Sequence, residues 1–121
     1  MPSRDPVRVV CAGVAVIDYV FAIERPSWGR KARATAFTAV VGGCAANGSV
    51  AIARLGGQSR LVTSLGGPEG GDHIGDEILA WLAREHVEPD LQPLLANRRG
   101  QRGVIDDLAR RALTILEGGG R

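Results

Sequence analysis

The sequence is short of most residues that announce a chemistry. In 121 residues it holds two cysteines, two histidines, one lysine (Lys31) and an aromatic fraction of 4%. Two cysteines do not make a disulfide framework. Cys11, in an apolar run, and Cys44, in a glycine-rich turn, also lack the spacing of a zinc site. Both are expected to be reduced thiols, and Cys44 has the alternative of facing a ligand. His73 and His86 each lack a second histidine or cysteine nearby, which argues against a metal site and for surface positions. The formal net charge of +2, carried almost wholly by arginine, is too small to mark nucleic acid or a membrane surface as partner. Met1-Pro2-Ser3-Arg4-Asp5-Pro6 has no apolar core of the signal-peptide kind, and no later run approaches a membrane span, so a cytoplasmic protein is expected. No P-loop ending in Lys-Ser/Thr, no G-x-G-x-x-G after the first strand and no G-x-S-x-G elbow occurs.

What the chain does have is apolar residues, 45% of the total, and 17 glycines spread along its length. That composition suits a soluble α/β domain with many tight turns. Val7 to Val16 is a continuous β-branched run, the pattern of a strand buried on both faces. Tyr19 to Ile23 and Arg33 to Val41 read as a small hairpin-like excursion. Ala45 to Leu55 has the pattern of a short helix ended by Gly56-Gly57. Arg60 to Leu65 reads as the next strand. After a glycine-rich turn at Gly66 to Gly71, Asp72 is placed to cap a helix that reaches His86 and carries Ile74, Ile78, Leu79 and Leu82. A strand near Val87 to Leu91 follows. A strand, a crossover helix and a second strand imply parallel pairing. Beyond Leu94 the character changes. A basic turn from Asn97 to Arg102 leads into a helix over 103–117, and the cluster Arg98, Arg99, Arg102, Arg110 and Arg111 is expected to be a solvated face.

Two places carry potential chemistry. Asp18 follows the first apolar run, at the carboxyl end of a strand, where open α/β sheets bind ligands. There it either accepts hydrogen bonds from adjacent hydroxyls of a polyol or caps a turn. Gly42-Gly43-Cys44-Ala45-Ala46-Asn47 combines two glycines, which allow close backbone approach, with a helix start that presents free N–H groups. Asn47 would project from the first turn with an amide that both donates and accepts. The alternative is a glycine turn feeding a packed helix.

Together these pieces resemble the ribokinase-like (PfkB) carbohydrate kinases. The resemblance rests on Gly13-x-x-x-x-Asp18 at the end of the first strand and on the stretch from Gly42 to Gly56, which looks like the family's N-terminal signature. Leu65-Gly66-Gly67 and Asp72 to Val87 continue it, so it covers Val7 to Val87. It implies a ribokinase-like doubly wound sheet with a small β lid, the excursion from Tyr19 to Val41 resembling the lid strands. Residues 7–93 would form the N-terminal part of the domain and 94–121 a divergent tail, with the family's C-terminal half absent. Carried over by position, Asp18, Gly43 and Asn47 would contact an acceptor sugar while Gly42 shapes the turn. Val16 stands where ribokinases have an asparagine, which points towards the ketohexokinase, fructokinase or sulfofructose kinase side of the family.

The resemblance also implies phosphoryl transfer from ATP with Mg2+, but the catalytic, nucleotide and metal residues belong to the family's other half. Gly70-Gly71-Asp72 lies in the wrong loop to replace them. The expectation is a partial kinase, inactive alone, that needs a complementary chain or forms a dimer. The alternative is a non-catalytic sugar-binding or regulatory module. A truncated or frame-shifted gene product would explain both the missing half and the divergent tail.

Overall fold

The computed structural model describes residues 5–66, 72–92 and 100–118. The turn at 67–71 and the basic turn before residue 100 lie outside this range. Eight elements follow one another: β1 (Arg8–Ala12), β2 (Val16–Ala22), β3 (Ala36–Gly42), α1 (Cys44–Arg54), β4 (Gln58–Ser64), α2 (His73–Arg84), β5 (Val87–Gln92) and α3 (Gly100–Glu117). They make a three-stranded parallel sheet in the order β1-β4-β5 and a separate two-stranded antiparallel ribbon of β2 and β3. The arrangement is the expected α/β one, a parallel sheet with helices.

Side chains alternate across a strand, so neighbours in sequence serve opposite layers. On β4, Leu61 joins Ala46 and Val50 of α1, Ile78 and Leu82 of α2, and Val87 in one core cluster. Its neighbour Val62 joins Leu108 and Ile115 of α3 in a second, with Val10 packed beside them. Helices thus cover both faces of the sheet, and both Leu61 and Val62 are fully buried. The tail helix supplies the second layer. It is tied to β5 by two hydrogen bonds from Arg111 to the Asp90 carboxylate, at 3.2 and 3.0 Å.

Caps fix the helix ends. The Asp72 side chain accepts from the Gly75 N–H at 2.9 Å, so Asp72 is the N-cap of α2 as expected. At the far ends of α1 and α2, Arg54 donates to both oxygens of Glu85, at 2.8 and 2.6 Å. His73 and His86 are both exposed, also as expected.

The first strand needs correction. The apolar run from Val7 to Val16 predicts one strand with Asp18 beyond its end, but the chain leaves the sheet after Ala12. It starts again at Val16 as part of the ribbon, and Asp18 is the third residue of β2. The bend falls at Gly13, where an added Cβ would stand 2.8 Å from the Cβ of Ala45 in α1. Hydrophobicity does not record a bend when both arms are apolar. β3 likewise starts at Ala36 rather than Arg33, and α3 begins at Gly100, ahead of the expected 103.

Candidate functional site

The ribbon fixes Asp18 by register. Val16 pairs with Gly42, Ile17 with Val41 and Asp18 with Val40, so Val16, Asp18 and Val20 share one face of β2. Ile17, Tyr19 and Phe21 take the other face. There Phe37 packs at a tilt against Phe21, with ring centroids 5.0 Å apart, and against Tyr19 at 5.7 Å. The carboxylate is on the face away from these rings, and it is exposed.

At its base the ribbon is pinched. The Asp18 carboxylate lies against the Cα of Gly42, in the space a Cβ there would occupy. One residue on, Gly43 has φ of 101°, and an added Cβ would fall 2.5 Å from the carbonyl oxygen of Val14. A side chain at Gly42 would displace the carboxylate. At Gly43 it would collide with backbone and hold an unfavourable φ as well. The two adjacent glycines therefore have different physical reasons.

Gly43 is the N-cap of α1 and offers no side-chain acceptor, and the first turn carries no acidic residue. The first N–H groups of the helix are therefore left without a side-chain cap, at the positive end of the helix dipole. The first intrahelical bond runs from the Asn47 N–H to the Gly43 carbonyl at 2.9 Å, and the Asn47 side chain is exposed. The Asp18 carboxylate thus meets, at Gly42, the short piece of backbone that carries Gly43 and Asn47. A carboxylate that accepts, helix N–H groups that donate and an amide that does both match a ligand rich in hydroxyls.

Other sequence candidates do not join this site. His73 opens α2 and His86 follows its end, where it adopts φ of 58° in the turn to β5. Both cysteines are free, Cys11 half-buried in β1 and Cys44 exposed at the first position of α1. A cleft of about 250 Å³ lined by Arg8, Gln58, Arg60, Glu88 and Ile115 lies at the amino ends of the strands. Ligands of open parallel sheets gather at the carboxyl ends of the strands, the end opposite this cleft. The approach of the Val14 carbonyl to Gly43, by contrast, had no signal in the sequence, because it is a contact through space.

Residues 7–106 match the pfkB family of carbohydrate kinases. The chain belongs to that family. It is 32% identical over 114 residues to the ribokinase of Bacillus subtilis, covering 92% of this chain and 38% of that protein. Among solved structures it is similar to the fructokinase of Xylella fastidiosa, at 33% identity and a TM-score of 0.53, covering 71% of this chain and 24% of that one. A carbohydrate kinase from Agrobacterium tumefaciens shares the fold, with a TM-score of 0.58 at 24% identity over 76% of this chain and 29% of that one. This PfkB chain therefore spans well under half the length of the relatives it matches.

The family's reaction draws on ATP and Mg2+. Among the described residues no group of three or more His, Cys, Asp or Glu side chains is placed to hold a metal ion. Nor is any described helix long and apolar enough to cross a membrane.

Proposed function

We propose that this chain provides the acceptor-sugar side of an ATP-dependent carbohydrate kinase and does not transfer phosphate alone. The observation that carries the proposal is the Asp18 carboxylate seated against Gly42 at the uncapped start of α1. Asp18 would accept from two neighbouring sugar hydroxyls, and Asn47 would donate to one and accept from another. Gly42 leaves room for the carboxylate, and Gly43 brings the ribbon onto the helix. Val16 lies on the Asp18 face, paired with Gly42. Because Val16 stands where the resemblance places a ribokinase asparagine, a ketohexose-like sugar is proposed over ribose. Residues 7–93 would form the N-terminal part of the domain, with the family likeness running on into the tail as far as residue 106. The nucleotide and Mg2+ would be held by the residues of the family's other half.

A second reading has one observation in its favour. α3 covers the sheet face that a lone half-domain would expose, which suits a self-sufficient sugar-binding or regulatory module. Titration calorimetry with fructose and with ribose, together with an ADP-release assay, tests the proposal. We expect fructose to bind more tightly than ribose and no ADP to form. ADP formation by the chain alone would refute the inactive half, and equal indifference to both sugars would refute the sugar site.

A further inference from the structure

The cleft of about 250 Å³ at the amino ends of the strands joins charged and aliphatic walls, and the register says how. Val10 packs with Val62 against α3, and side chains two residues apart on a strand share a face. Arg8, paired with Gln58, and Arg60, paired with Val10 and Glu88, therefore stand on the α3 side of the sheet. The last turn of α3 reaches the same end and closes the cleft with Ile115 and Leu116.

The two arginines differ in what they already hold. Arg60 donates to the Glu88 carboxylate at 2.6 Å, and its side chain is only 21% exposed. Arg8 is exposed, and among the described residues the ion pairs engage Arg54, Arg60, Arg110 and Arg111 but not Arg8. A guanidinium without a carboxylate of its own, beside a pocket with aliphatic walls, is a donor fork that a carboxylate can take in bidentate fashion. Gln58, beside it on β4, brings an amide that can add a donor. The carbonyl end of α3 disfavours negative charge, which sets the direction of a ligand. Its charge would lie towards Arg8 on β1 and its hydrocarbon towards Val10, Ile115 and Leu116. Space is ample for a ring, since about 150 Å³ suffices for benzene.

We infer that this cleft is a binding site for a small organic carboxylate with a compact apolar body. It lies at the end of the sheet opposite Asp18, so the inference does not rest on the sugar reading. The sheet supplies one wall and α3 the other. An occupant therefore binds with α3 docked and holds the tail helix on the sheet by mass action.

The probe is benzoate, titrated into the full chain and followed by amide chemical shifts. Saturable shifts are expected at Val10, Arg60 and Leu116. Benzamide keeps the ring without the charge, and acetate keeps the charge without the ring. Each should bind at least about tenfold more weakly than benzoate. Arg8→Gln should weaken benzoate by about tenfold and leave benzamide as in wild type, while Arg8→Lys, which keeps the charge but loses the fork, should fall between. Leu116→Asn, at an exposed position, should weaken both ring compounds alike. In saturating benzoate the amides of α3 should exchange more slowly, and fructose should not displace the probe. Three results would overturn the inference: benzamide binding as tightly as benzoate, Arg8→Gln binding benzoate like the wild type, or shifts confined to the uncapped start of α1, the rival place for an anion. The first and third need no substitution, so they decide the matter even if a variant folds poorly.

Discussion

The parallel sheet and the ribbon meet opposite fates, and apolar content does not decide which of them is buried. In the sheet Leu61 and Val62 are fully buried because helices lie on both faces, whereas in the ribbon Phe21 is 62% and Phe37 57% exposed. Composition cannot account for that difference, since Val16-Ile17-Asp18-Tyr19-Val20-Phe21-Ala22 is the more apolar of the strands compared. What differs is cover. A two-stranded ribbon is marginal by itself, and this one is held by its base, where Ile17 and Val41 pack against the main core. Stability belongs to the sheet, then, and recognition belongs to the ribbon and its base.

The largest expected effect tests that division directly. Leu82→Ala empties a fully buried position between α2 and the sheet and should cost about 2–5 kcal/mol in urea unfolding. Phe21→Ala removes a larger side chain from the ribbon and should cost under about 1 kcal/mol, because its pairing with Phe37 is exposed. Equal costs would mean that the ribbon is part of the cooperative core.

The two glycines at the ribbon base sharpen the same contrast. Gly43→Ala sets a Cβ against the Val14 carbonyl at a positive φ and should destabilise the fold by about 1–3 kcal/mol. Gly42→Ala meets only the carboxylate of Asp18, which can swing away. Fructose binding should therefore fall by about tenfold or more while the unfolding midpoint holds. Asp18→Asn should do the same by removing an ionised acceptor, worth about 1.5–3 kcal/mol per hydrogen bond. If Gly42→Ala and Gly43→Ala proved indistinguishable in both assays, the distinction between site and scaffold would fail.

These positions also show what was legible in the sequence. Gly42, Gly43 and Asn47 stood out because a glycine pair before a helix limits what the backbone can do. The sheet elements β4, α2 and β5 were readable within a residue or two, since each alternates or repeats in a way that burial enforces. The break between β1 and β2 was not readable, because both arms are apolar and the cause is the packing of Gly13 against Ala45. Nor was the role of the tail. A helix at 103–117 was evident from its period, but that Leu108 and Ile115 would close the second face of the sheet depends on where α3 lands. The exposed rings of Tyr19, Phe21 and Phe37 were hidden for the same reason, as strand propensity says nothing of cover.

Those rings should drive self-association, a smaller effect. An exposed aromatic face on a chain with little else to cover it favours a dimer or aggregates at high concentration. Phe37→Ser, at the centre of the cluster, should raise the dimer dissociation constant by about tenfold in sedimentation velocity. Association unchanged by Phe37→Ser would move the contact away from the ribbon.

The smallest expected effect lies in the helical layer, at Glu85. Hydrogen bonds from Arg54 hold its carboxyl below the ordinary glutamate range, against an opposing push from burial. A carboxyl whose folded value is depressed contributes stability above its unfolded value of about 4.3 and loses it as pH falls through the lower folded value. The wild-type chain should therefore lose slightly more stability between neutral and acid pH than Glu85→Gln, which has nothing to protonate there. The two pH profiles should run parallel above about pH 6 and converge only below the glutamate range. Because Arg54 and Glu85 join α1 to α2 and touch no part of the ribbon, the same substitution should leave fructose binding unchanged. A shift in binding would mean that the start of α1 is coupled to its far end.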